Sequence, residues 1–374
     1  MTVVIDGSQG VTTPMYGGAI ASNAVTPTTA FKNRIINGQM QIDQRNAGAS
    51  LAIPDSTGTY TLDRWRAYES TDGSLSVQRS STAPTNFTNS LLVTVTSADS
   101  SLGASQQSKI QQMIEGYNVA DLAWGTASAK PVTLSFWIRA SVTGTYGGCF
   151  LNNAVDRSYP FTYTISSANT WTQINIPIVG PTIGTWATNN TTGIQLYLSM
   201  GMGTTYSTTA GSWAAGTYYG ATGQTNWMNT VGNTFYITGV QLEAGSAASP
   251  FENRSYSVEF DMCRRYYERI NYTNAGGANQ YVGAGVGMSW AANDVRIQLQ
   301  YYPKRASATC TMSGTIKFAN SGSNSGNLTT YYFDNFGTDT GLMYRNDLSG
   351  LTTGQALQAS AQAANTYVSF SAEL

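Results

Sequence analysis

Apolar and polar residues alternate with period two through much of the chain, the pattern of half-buried β-strands. In "SLLVTVTS", Leu91, Val93 and Val95 fall on one side. In "PVTLSFWIRAS", Val132, Leu134, Phe136 and Ile138 face one way, and Thr133, Ser135, Trp137 and Arg139 the other. "WTQINIPIVG" aligns Ile174, Ile176 and Ile178, and "TGIQLYLSMG" aligns Ile194, Leu196, Leu198 and Met200. "NTFYITGVQLEAG" predicts a further strand with a bulge at Gly239. Gly/Asn/Ser/Thr turns separate these runs, with no βαβ alternation. The pattern predicts an all-β protein built on a jelly-roll β-sandwich over 31–252. "QQSKIQQMIEGYNVADLAW" fits either a short helix or a strand with a long loop.

The period changes after "ASPFENRSYSVEF". Phe260, Cys263, Tyr267 and Ile270 recur at helical spacing, predicting a junction helix over 253–272 that packs through these four residues. Ser257 is placed to cap it, and Asp261 and Arg265 to pair at i,i+4. Alternation then returns. "DVRIQLQYYP" aligns Val295, Ile297, Leu299 and Tyr301; "TCTMSGTIKF" aligns Cys310, Met312, Ile316 and Phe318; "YVSFSAEL" aligns Val368, Phe370, Ala372 and Leu374. Residues 273–374 are thus expected to form a second, smaller C-terminal β-sandwich. Residues 1–30 carry one strand-like run, "TVVID", and too little apolar pattern for a domain. They read either as a disordered leader or as an extended peptide that docks by strand addition.

Composition removes several chemistries. The chain has 374 residues, 19 Lys+Arg against 20 Asp+Glu, and only 10% charged residues. The densest basic and aromatic stretch, "DMCRRYYERI", stands alone in a chain of net charge −1, which argues against a nucleic-acid partner. The absence of histidine removes Ser-His-Asp and Cys-His catalysis and His-ligated zinc. Cys149, Cys263 and Cys310 show no CxxC spacing and read as free thiols. No Lys or Arg precedes Lys32, so a secretory n-region is not expected, nor is membrane insertion. Synthesis in a cytoplasm is the expectation.

Candidate chemistry is correspondingly sparse. A glycosidase needs two carboxylates about 5–10 Å apart, which spacing cannot reveal. No catalytic residue, metal ligand or cofactor is assigned. Asp63-Arg64-Trp65 reads as a core tryptophan with a flanking ion pair. "NFTN" and "NNTT" match the N-glycosylation pattern and read as turns. Of 8 Trp and 23 Tyr, several crowd a Gly/Thr-rich stretch, and Trp186, Tyr197, Trp213, Tyr218, Tyr219 and Trp227 are candidates for glycan stacking. Each also fits a core or interface aromatic.

"KNRIINGQMQIDQRNAGAS", "YTLDRWRAY", "VTLSFWIRASVTGTY", "NTFYITGVQLEAGSAASPFENRSYSVEFDMCRRYYERI" and the terminal "SAEL", taken in order, resemble tailed-bacteriophage virion proteins described as tail fibre or receptor-binding proteins. The resemblance runs from about Phe31 to Ile270 and more loosely to the end. It implies a domain similar to the jelly roll of carbohydrate-binding modules and a homotrimeric appendage in the virion. "TVVIDGSQGVT" resembles the leader that attaches such proteins to other virion proteins. The implied function is non-enzymatic adhesion to a host cell-surface glycan. The alternatives are a structural head-fibre, collar or capsid-decoration protein, and then a glycan-degrading tailspike.

Overall fold

The computed structural model describes residues 4–6, 10–12, 31–272, 283–319, 324–328, 331–348, 351–361 and 366–374. Residues 1–32 are a unit of their own, and Asn33–Leu374 form a second. In the first, β1 (Val4–Asp6) pairs antiparallel with β2 (Gly10–Thr12). The rest of the 1–30 leader expected from sequence lies outside the described residues.

The large unit begins with β3 (Leu51–Ala52), β4 (Thr59–Tyr60), β5 (Arg66–Glu69), β6 (Ser74–Ser80), β7 (Ser90–Ser97) and β8 (Gln107–Glu115). It continues through β9 (Val132–Ala140), β10 (Gly144–Leu151), β11 (Arg157–Ile165), β12 (Thr172–Ile178) and β13 (Thr192–Met202). The short β14 (Ser207–Thr208), β15 (Ala214–Ala215) and β16 (Gly220–Ala221) precede β17 (Thr234–Ala244). Except for β14 and β16, which pair parallel with each other, these form a jelly-roll sandwich of two sheets, ordered β12-β9-β17-β7-β6-β3 and β15-β11-β10-β13-β8-β5-β4. The alternating apolar residues meet between them. Val93, Phe136, Ile138 and Phe235 from one sheet share a core with Ile110, Phe150, Leu196 and Leu198 from the other, all fully or nearly fully buried. Trp65 is fully buried in the same core. The predicted bulge is present: the β17–β9 register shifts between Thr238 and Gln241, with Gly239 at φ +61 and the Phe87 ring against it.

The segment left open by sequence is β8 followed by 3₁₀ turns at Gly116–Asn118 and Ala120–Leu122. All nine residues of β8 are buried, although Lys109, Gln111 and Gln112 are polar. Gln112 holds the chain before the sandwich by donating to Ile36 O and accepting from Ile36 N, both at 2.9 Å.

The junction helix is shorter than its predicted 253–272. Helix α1 spans Tyr256–Arg264, with Ser255 rather than Ser257 at its N-cap. Tyr267 and Ile270 lie instead on β18 (Tyr267–Tyr272), which pairs with β27 (Thr366–Ser371). A sheet partner about one hundred residues later outweighs the local helical spacing. Phe260 and Cys263 do sit on α1, and Cys263 packs with Tyr266, Ile36 and Ile42. Arg265 pairs with Glu115 of β8, not with Asp261.

The second sandwich therefore starts at Tyr267 rather than 273. Its remaining strands are β19 (Gly283–Ala291), β20 (Asp294–Gln300), β21 (Thr309–Ser313), β22 (Ile316–Ala319), β23 (Asn324–Leu328), β24 (Tyr332–Asp334), β25 (Thr340–Arg345) and β26 (Ala356–Ala361). They form sheets ordered β18-β27-β21 and β23-β22-β26-β19-β20-β25-β24, closed over Val295, Ile297, Ile316, Met343, Val368 and Phe370.

A buried polar clamp joins the two sandwiches. Glu115 accepts from Arg265 Nε (2.9 Å), Arg265 Nη2 (2.6 Å) and Tyr266 Oη (2.5 Å). Burial pushes the Glu115 carboxyl up, but these donors outweigh it and hold the group below its ordinary value. Arg64, 1% exposed, lies 3.7 Å over the Tyr266 ring, donates to Met113 O and pairs with Glu373. Arg305 donates to the carbonyls of Ala372 (2.6 Å), Glu373 (2.7 Å) and Asn190 (2.8 Å), tying the chain's last residues to the jelly roll.

Candidate functional site

Alternation along the seven-stranded jelly-roll sheet sends every second side chain away from the core. Register assembles these outward residues into rows. One row reads Tyr60, Arg66, Gln111, Tyr197, Cys149 and Pro160; the next reads Tyr68, Lys109, Ser199, Gly147 and Thr162. The face is polar and aromatic, yet most of it is covered. Gln111, Tyr197 and Lys109 are 3%, 4% and 5% exposed. Tyr219 packs on Tyr197 (4.9 Å) and Tyr206 (5.4 Å), and Leu374 packs into the Met113–Cys149–Leu151–Tyr197 cluster.

Lys109 sits at the centre of this cover. Its Nζ lies 3.3 Å from the Tyr219 ring centroid and 5.0 Å from those of Tyr68 and Tyr197. It donates to Gln107 Oε1 and has no carboxylate partner among the described residues. Ring faces and one amide replace water around the ammonium, an incomplete exchange. Burial, helped by nearby Arg66, pushes the Lys109 ammonium down to about 7.

A cavity of about 380 Å³ lies at the β4–β5 edge of the face. Tyr60 and Arg66 line it from the jelly roll, and Ser307, Thr309 and Ser371 from the second sandwich. Tyr60 Oη donates to Leu374 O at 2.7 Å, and the Arg66 guanidinium carbon lies 6.0 Å from the Tyr60 ring centroid. A flat ring, a guanidinium and three hydroxyls around a small polar cavity can stack on a sugar ring and hydrogen-bond its hydroxyls.

The six stacking candidates are distributed over four places. Trp186 and Trp213 interlock edge-to-face with Trp124, at centroid distances of 4.8–5.4 Å. Their indole N–H groups donate to Ile183 O and Val179 O. Tyr197 and Tyr219 belong to the covered sheet face. Tyr218 is half-buried, with its ring beside Gly216. Trp227 is fully buried between the sheets against Phe235, so it presents no face for stacking. The residues around the open cavity, Tyr60 and Arg66 above all, were not singled out from sequence. The signal for them was the alternation of Arg66 and Tyr68 with the buried Trp65, Ala67 and Glu69 in "WRAYE".

All three cysteines are free, and burial pushes the Cys149 and Cys263 thiols well up and Cys310 to about 12. Among the described residues no cluster of His, Cys, Asp or Glu could hold a metal ion, and no helix is long and apolar enough to cross a membrane.

No family model matches the chain, and no curated protein matches its sequence. Solved structures similar to it include the enzymatically active domain of tailspike protein 4 of bacteriophage CBA120, 12% identical over 57% of this chain, with TM-score 0.31. That match spans only 22% of the tailspike domain. The family 11 carbohydrate-binding module of the cellulosomal cellulase Lic26A-Cel5E of Clostridium thermocellum is 13% identical over 55% of this chain and 100% of its own, with TM-score 0.27. The CBM22-1-CBM22-2 tandem domain of Paenibacillus barcinonensis Xyn10C is 9% identical over 88% of this chain and 98% of its own, with TM-score 0.26. Likeness at this level carries no argument about function.

Proposed function

We propose that the chain is a non-enzymatic, glycan-binding fibre protein of a tailed-phage virion, and that sugar enters the cavity beside Tyr60 and Arg66. The observation that supports this is the cavity itself: an aromatic ring, a guanidinium and several hydroxyls, in a low-charge protein, at the β4–β5 edge of the tyrosine-rich sheet face. The protein acts as a homotrimer, held in the particle through residues 1–30, and trimeric display turns modest per-site affinity into avidity. Purified protein should adsorb to host envelopes and compete with infection. Absence of both would sink the receptor role. Light scattering that returned the 40.0 kDa of a single chain would refute the trimer.

A structural role as head fibre, collar or capsid decoration is the second reading. It is favoured by the interlocked Trp124, Trp186 and Trp213, whose rings are occupied with one another. A particle reconstruction separates the two, since density at neck or capsid would displace the receptor reading. New reducing ends on incubation with host polysaccharide would overturn the non-enzymatic assignment.

A further inference from the structure

We propose that the cavity selects a sugar that bears a carboxylate, and that Arg66 is the residue that reads it. This deepens the glycan reading above and rests on it.

The charges facing the cavity are few, and all but one are committed. Glu373 is held by Arg64 and by Arg45 (3.0 Å). Arg305 gives its guanidinium to three main-chain carbonyls. Arg66 is the exception: its Nε is buried without an acceptor, and its guanidinium, beside the Tyr60 ring, has no hydrogen bond or ion pair among the described residues. Neither Glu373 nor Leu374 reaches it. The contrast with its neighbours is sharp, because Arg45, Arg64, Arg264 and Arg265 each hold a carboxylate.

A donor kept waiting at the wall of a polar cavity calls for an acceptor from outside. Lys109 lies on the same face, one register step away, again with no acid beside it, but it is buried under tyrosines and does not line the cavity. The unpaired guanidinium therefore favours an anion at this wall of the cavity. A guanidinium presents a planar fork that matches a carboxylate bidentately, which a point charge does not. Tyr60 supplies the ring beside it, and Ser307, Thr309 and Ser371 supply partners for neutral sugar hydroxyls.

The test is calorimetric titration of the full chain with an oligogalacturonate tetramer and with its methyl-esterified, neutral counterpart. The acid should bind at least tenfold more tightly, and added salt should shrink the difference. Arg66→Gln should abolish the preference, and Arg66→Lys should keep only part of it. Thermal melts check that both variants are folded, and the lysine variant carries the test if the glutamine variant is not. Equal affinity for both tetramers, or an acid preference that survives in Arg66→Gln, would overturn the proposal and leave the glycan reading standing. Binding of host polysaccharide without binding of the acidic tetramer would do the same. If neither tetramer nor host polysaccharide binds, both readings fall.

Discussion

Arg64 and Glu373 are 309 residues apart in sequence and form a buried ion pair, with side chains 1% and 6% exposed. The pair ties Glu373 to the turn between β4 and β5 of the jelly roll. Removing one partner leaves the other charged and out of water. Glu373→Ala is expected to cost about 3–5 kcal/mol. Urea unfolding should show it, with the second sandwich melting before the jelly roll. Arg64→Met combined with Glu373→Leu should cost less than either single change, because the Arg64 charge is then not stranded and Arg45, which loses Glu373, keeps Asp63 at 3.9 Å. A double variant as unstable as the sum of the singles would refute the coupling.

Tyr266, not Tyr267, is the more deeply set of the adjacent tyrosines, at 0% against 8% exposed. Tyr266 stacks under Arg64 and donates to Glu115; Tyr267 lies under Arg45, whose guanidinium carbon is 3.5 Å from its ring centroid. Tyr266→Ala should cost about 3–5 kcal/mol, and Tyr267→Ala less. Tyr266→Phe isolates the hydrogen bond and should cost about 1–3 kcal/mol, since Glu115 keeps Arg265. Thermal denaturation of the three variants under one buffer decides the order.

The same clamp should weaken in acid. Glu115 and Glu268 are both held below their ordinary carboxylate value once burial is outweighed, Glu115 by Arg265 and Tyr266, Glu268 by Lys304 and Arg264. A carboxyl with a depressed folded value contributes stability that is present above its unfolded value of 4.5 and is lost as pH falls through the folded one. Melting temperature should therefore fall below about pH 4.5, and Glu115→Gln should flatten that fall. An unchanged acid limb in the variant would remove Glu115 from the account.

The strands were legible because their core faces alternate without interruption. Val132 to Ile138 and Ile194 to Met200 are read directly, and so is the bulge at Gly239. Strand β8 was ambiguous because its outward residues, Lys109, Gln111 and Met113, are covered by tyrosines and by the end of the chain, which no local pattern reveals. Helix α1 was overextended for a related reason. Tyr267 and Ile270 keep helical spacing with Cys263, but Thr366–Ser371 supplies sheet hydrogen bonds from far along the chain. The candidate cavity was the least legible part. Tyr60 and Arg66 meet Ser307, Thr309 and Ser371 only after both sandwiches have formed and docked.

Lys109 yields a prediction of opposite sign. Its ammonium is held down to about 7 by burial first and Arg66 second, against an ordinary 10.5. The unfolded chain therefore binds more protons between about pH 7 and 10.5, so stability should rise with pH across that window. Lys109→Met removes the buried charge and keeps much of the volume. It should stabilise the protein at pH 7 by at least about 1 kcal/mol and abolish the rise above pH 7. Melting curves from pH 6 to 10 on both proteins test this. A destabilised variant with the wild-type slope would mean that the tyrosine cage favours the ammonium after all.

Gly58 offers a way to move Arg66 without removing it. The guanidinium lies against the Gly58 backbone, in the space that a Cβ would take. Only the end of a flexible side chain opposes the added methyl, so Gly58→Ala should shift stability by less than about 0.5 kcal/mol. The displaced guanidinium should still meet any anion by long-range attraction, but no longer at the fixed angle a bidentate contact needs. The expected result is an unchanged melting temperature together with at least a tenfold loss of affinity for the acidic tetramer. The neutral ester should lose less. Full retention of acid binding in a folded Gly58→Ala protein would show that the orientation of Arg66 does not matter, and would reduce its part to that of a diffuse charge.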